Sequence, residues 1–147
     1  MTRIVLSFFL AGAAALAVWP LAESDTPASV ECAAPDVEIA TVSYQDHVQR
    51  IFDFNCVVCH QTGAANAGLN LEFGISHEQL VGVESTQSEL PLVEPGSAEE
   101  SYLYHKLAGT HLEVGGSGAP MPLGGPPLPD DDIERIVTWI QECALDN

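Results

Sequence analysis

The chain has 147 residues, enough for one domain with a genuine core and too few for two of ordinary size. Twenty-one acidic residues face four basic ones, a net charge of −17, which repels nucleic-acid phosphates and anionic membranes and suits encounter with a basic protein surface. Nucleic-acid binding is thereby set aside; solubility alone is the plainer meaning of the charge.

The opening MTRIVLSFFLAGAAALAVWPLA holds one arginine, an apolar run from Ile4 to Ala22 and the small-residue pattern Ala15-Leu16-Ala17. That order is expected of a secretory signal peptide over residues 1–22, and hence of a periplasmic or otherwise exported protein. The run also approaches the roughly 20 residues that cross hydrocarbon, so the alternative is an uncleaved anchor, the one circumstance that would put this protein on a membrane. Pro20 breaks the run and favours cleavage. Residues 23–42, acidic and with two prolines, read as an extended arm; Glu31 directly before Cys32 argues against lipid attachment there.

Organisation begins at Ser43. Ser43 and Asp46 have capping-box spacing, and Tyr44, Val48, Ile51 and Phe52 recur on one helical face, so a helix is expected from about Tyr44 to Phe54, running into Cys56. The glycine-punctuated GAANAGLNLEFG reads as a loop wrapping something. Ser76-x-x-Gln79 predicts a short capped helix to about Val81, and Ser97-x-x-Glu100 another to about Leu107. Between Gly115 and Pro129 stand five glycines and five prolines, which exclude regular structure and leave a long loop of the kind that usually carries function. A last helix is expected from Asp130 to about Ala144, with three aspartates at its positive end and Ile133, Ile136, Val137 and Ile140 as one stripe.

Within residues 43–147 the chemistry concentrates in CVVCH, residues 56 to 60. A structural zinc site wants four Cys or His ligands, usually as two close pairs, and only one pair exists. A thioredoxin-like dithiol belongs at the end of a strand in a βαβ context, and no parallel-sheet pattern is present. Covalent haem attachment explains the spacing: two thiols, Cys56 and Cys59, add to the two vinyl groups on one edge of the macrocycle, and His60 is forced beneath the ring to bind iron. A six-coordinate iron needs a second ligand. Met121, the one methionine left after processing, sits in Ala-Pro-Met-Pro, away from any apolar helical face, and is the candidate. His111 is its rival; His47, His77 and His105 lie on predicted helices and read as surface or satisfied core residues.

The helix leading into CVVCH, then GLNLEFG, LVEPGSAEESYLYHKL and APMPLGGPPLPDDDIERIVTWIQE, resembles a monohaem c-type cytochrome domain over about residues 43 to 144. Within that family the chain is most similar to the planctomycete-type domains, with their Pro-Gly-x-x-x-x-Ser-Leu/Tyr-Leu segment and Met-Pro loop. The resemblance implies an all-α fold of three to four short helices and long loops around one covalent haem c. It also implies thioether bonds at Cys56 and Cys59, axial ligands His60 and Met121, and Ile51 or Phe52 of the first helix against Trp139 and Ile140 of the last. Many relatives place a proline carbonyl against the proximal histidine; here Leu69 stands in its place.

Cys32 and Cys143 are left over. In an oxidising compartment they are candidates for a disulfide, the alternative being two unrelated thiols. The expected function is electron transfer to a redox protein partner, with no enzymatic activity of its own. The alternative is a haem sensor or small haem enzyme in which Met121 is a labile ligand.

Overall fold

The computed structural model describes Cys32 and residues 40–147. The expected signal peptide at 1–22 and nearly all of the arm at 23–42 lie outside the described residues. Among the described residues the fold is all-α: four helices, long loops and no strand, only isolated bridges pairing Val81 with Val93, Glu84 with Pro91 and Glu94 with Ser97. None of these helices is long and apolar enough to cross a membrane.

Helix α1 starts as Tyr44–Val48 with π spacing and continues as Gln49–Asn55. Ser43 caps it, its hydroxyl accepting from the Asp46 N–H at 3.2 Å. Two further N–H groups of the first turn find partners at the far end of the chain: Tyr44 donates to Asn147 Oδ1 at 2.9 Å and Gln45 to the Asn147 carbonyl at 3.1 Å. Just before them, the Glu142 carboxylate accepts from the backbone N–H groups of Thr41 and Val42, at 2.9 and 3.0 Å for Oε2, and from the Thr41 hydroxyl.

Helix α2, Ser76–Leu80, is not capped by Ser76 as the spacing suggests; Ile75 holds the cap position without a side-chain bond. Ser76 is wholly buried instead, donating to Gln49 Oε1 and accepting from the Tyr44 hydroxyl at 2.7 Å. A buried hydroxyl must be paired, and this pairing across two elements outweighs a local cap. Helix α3, Tyr102–Ala108, begins later than Ser97 suggests. Ser97 does accept from the Glu100 N–H at 3.3 Å, but Ser101 occupies the cap position, its hydroxyl turned back to the Ser97 carbonyl at 2.7 Å. The first N–H groups of α3, on Tyr102 and Leu103, donate to the carbonyls of Pro91 and Leu92, both at 2.9 Å. Gly109, at φ 75°, closes α3 in the left-handed conformation that suits glycine.

Helix α4, Asp130–Gln141, has Asp130, Asp131 and Asp132 in its first turn, where the helix dipole favours them. It ends earlier than expected, because Cys143 and Ala144 adopt positive φ. Its stripe is the expected one with Trp139 added: Ile136, Trp139 and Ile140 are buried, while Ile133 and Val137 lie half-buried at the core's edge. Ile51, Phe52, Trp139 and Ile140 share one core. The aromatic contact between the first and last helices, however, is made by Tyr44, whose ring lies 4.9 Å from that of Trp139. Cys32 and Cys143 are joined by a disulfide, with their Cα atoms 5.4 Å apart.

Candidate functional site

The CVVCH segment grows directly out of the end of α1. Cys56 and Val57 both donate to the Phe52 carbonyl, at 2.8 and 3.0 Å, and Cys59 then donates to the Cys56 carbonyl at 3.1 Å. A hydrogen bond spanning three residues brings side chains i and i+3 over one another, so the two thiols share a side of the turn. His60 N–H bonds to the carbonyls of Cys56 and Val57, which fixes the ring's origin relative to the thiols. Both Cys56 and Cys59 are free thiols.

Burial, and after it the neighbouring Cys59, pushes the Cys56 thiol up to about 11. A redox dithiol needs the opposite, a nucleophile whose pKa is depressed. Among the described residues no group of three or more His, Cys, Asp or Glu side chains could hold a metal ion.

The His60 ring has one oriented nitrogen. Nδ1 lies 3.3 Å from the Leu69 carbonyl, and a carbonyl only accepts, so a bond there is donated by Nδ1–H, which in the neutral ring leaves Nε2 its lone pair. That is the tautomer an iron ligand requires. The loop that returns Leu69 to His60 closes with a 2.8 Å bond from the Leu71 N–H to the His60 carbonyl.

Met121 is half-buried and packs against the same core as Cys56, Val57 and Leu69. Its loop is braced from α3. The Met121 N–H donates to the Lys106 carbonyl at 2.8 Å. The Tyr102 hydroxyl donates to the Ser117 carbonyl at 2.8 Å and accepts from its N–H at 3.1 Å. The Lys106 ammonium, whose pKa burial pulls down, donates to Ser117 O and Gln87 Oε1.

Of the other histidines, all but His111 are engaged elsewhere through their bonded ring nitrogens. His111 is buried, with Nε2 bonded to the Gly118 carbonyl at 3.1 Å and Nδ1 unpartnered. His47 Nδ1 accepts from the Ser43 N–H, His77 bonds the Ala144 carbonyl and stacks edge-on to Tyr44, and His105 spans Thr110 and Glu99.

These residues fit a covalently held haem: two free thiols on one turn, an imidazole with one nitrogen on a backbone carbonyl, and a thioether at the edge of the same apolar core. Large apolar side chains beside them are left uncovered. Phe54, Val58, Phe73, Leu112 and Leu123, near the motif, its returning loop or the Met121 loop, are between 67% and 81% exposed. A flat apolar group held at the motif would have such side chains to rest against.

The sequence alone did not reveal the Glu72 carboxylate, which ties Thr62 and Asn70 together on the loop that follows His60. A carboxylate twelve positions from the motif carries no periodic signal.

Neither the curated proteins nor the solved structures offer a match to this chain. The Cytochrome c family profile does match, over residues 46–144, two thirds of the sequence, from the first turn of α1 to just past Cys143. The chain belongs to the cytochrome c family, haem proteins of electron transfer whose haem c is bound covalently.

Proposed function

We propose that this protein is an exported, monohaem electron carrier of the planctomycete-type group, with its iron held between His60 and Met121. The observation that carries the reading is the Leu69 carbonyl 3.3 Å from His60 Nδ1, on a turn that also carries Cys56 and Cys59. Haem c supplies reversible one-electron exchange at its iron. Cys56 and Cys59 would hold it by thioether bonds, and His60 Nε2 and the Met121 thioether would ligate its iron. One CVVCH motif supports one haem.

Met121 is favoured over His111 because its backbone is pinned to α3 while its side chain carries no competing bond. His111 keeps an unpartnered Nδ1, but its ring is buried and turned through Nε2 onto the Gly118 carbonyl. A filled sixth position leaves no place for a substrate, which supports a carrier rather than an enzyme. The excess of acidic residues supports a redox partner with a basic docking face.

The decisive test combines the pyridine haemochrome spectrum with the intact mass of periplasm-matured protein, which together should show one covalent haem. Met121→Ala should then remove the weak far-red absorption of the iron–thioether bond and lower the reduction potential. An unchanged spectrum would move the ligand elsewhere. Rapid, complete carbon monoxide binding by the reduced wild-type protein would favour a sensor or small enzyme over a carrier.

A further inference from the structure

The loop from His60 to Glu72 is held by more than its backbone. One carboxylate oxygen, Glu72 Oε2, accepts from the Thr62 N–H at 2.8 Å, from the Thr62 hydroxyl at 2.6 Å and from Asn70 Nδ2 at 3.0 Å. Asn70 closes the knot from the other side: its Oδ1 accepts from the Glu72 N–H at 3.0 Å, and its Nδ2 reaches Thr62 Oγ1 at 3.2 Å. The bonds to Thr62 and then Asn70 hold the Glu72 carboxyl below the ordinary carboxylate value, and the three bonds that end on its Oε2 are charge-assisted.

Its position gives it a role. Thr62 lies two residues after His60, and Asn70 is bonded directly to Leu69, whose carbonyl faces His60 Nδ1 at 3.3 Å. That distance is at the long end for an N–H···O bond, where a small displacement changes its strength steeply. We propose that Glu72 is a positioning residue for the proximal histidine. By clasping Thr62 to Asn70 it sets how closely the Leu69 carbonyl approaches Nδ1, and through that bond how strongly Nε2 donates to iron. A firm acceptor at Nδ1 raises the basicity of the ring and favours the oxidised metal; a slack one does the reverse. The inference rests on the reading of His60 as the proximal ligand.

The test uses full-length holoprotein and separates the clasp from the mere presence of a negative charge. Thr62→Val and Asn70→Ala break the clasp without changing charge; Glu72→Gln changes both; Thr62→Ser keeps the hydroxyl. Two quantities are read: exchange of the His60 Nδ1–H with solvent by proton NMR of the reduced protein, and the reduction potential.

The two neutral variants and Glu72→Gln should speed exchange about tenfold, the scale of one hydrogen bond, and raise the potential, while Thr62→Ser stays near wild type. A potential shift confined to Glu72→Gln, with exchange unchanged throughout, would reduce Glu72 to a remote charge and overturn the proposal. Should Thr62→Val not mature, Asn70→Ala decides alone. The underlying assignment has its own readout: in wild-type protein the ring N–H of the iron-bound imidazole must assign to His60. If it assigns to another histidine, the reading of the ligand falls first and the clasp with it.

Discussion

Gly116 shows how tightly the loop before Met121 is built. A Cβ placed there would collide with the Tyr102 ring and come within 2.6 Å of both the Tyr102 hydroxyl and the His111 carbonyl oxygen. Tyr102 cannot retreat, because it is buried and its hydroxyl holds Ser117. Gly116→Ala should therefore cost about 1–3 kcal/mol, as overpacking does. Because the strain falls on the segment leading to Met121, thermal unfolding should show a lower Tm, and on the proposed Met121 ligation the far-red band should weaken before global unfolding. At this scale the sequence is most informative where chemistry fixes spacing: Cys56, Cys59 and His60 stand out because thioether attachment tolerates little else. Glu72 and Ser76 do not stand out. Their roles depend on partners that only the folded chain brings near, so a serine with capping spacing becomes a buried link between Gln49 and Tyr44.

Among the elements, α4 does two jobs, burying Trp139 against Tyr44 and delivering Glu142 to the entry of α1. Desolvation raises the Glu142 carboxyl, but hydrogen bonds from the Thr41 side chain and backbone and from the Val42 backbone outweigh it, so its pKa falls below the ordinary 4.5. A carboxylate whose pKa is lower folded than unfolded stabilises the fold fully above the unfolded value, and loses that contribution as pH falls through the folded one. The clamp should accordingly be intact at neutral pH and open only in acid below about pH 4.5. Amide exchange at Thr41 and Val42 should accelerate there in wild type, and Glu142→Gln should flatten the dependence. Faster exchange on raising the pH toward neutrality, beyond the intrinsic base catalysis of free amides, would contradict the assignment. Helices α1 and α4 were legible because each carries a periodic stripe and an acidic or hydroxyl start. The beginning of α3 was not, because Ser97 and Ser101 compete for one turn and the choice is made by the carbonyls of Pro91 and Leu92, which take the first N–H groups of the helix.

For the molecule as a whole, the bond between Cys32 and Cys143 spans 111 residues. In the chain-entropy model a closure of that length removes about 4–5 kcal/mol of freedom from the unfolded chain. Cys32→Ser should lower the Tm by at least about 10 °C, with covalent haem still bound; an unaltered Tm would mean that the reduced chain is already restrained. The two cysteines were visible in the sequence as leftovers, but their meeting depends on where α4 ends, and that end is set by the left-handed turn at Cys143 and Ala144. The bridge also decides how the protein bears a load. A pull applied between a point before Cys32 and the far terminus passes through the sulfurs into residue 143 and out along the last few residues, so the intervening ring carries no tension. Stretched as a single molecule, the oxidised protein should release almost no contour length, whereas adding a reductant should free roughly 400 Å of slack and expose the haem-bearing ring to mechanical unravelling for the first time.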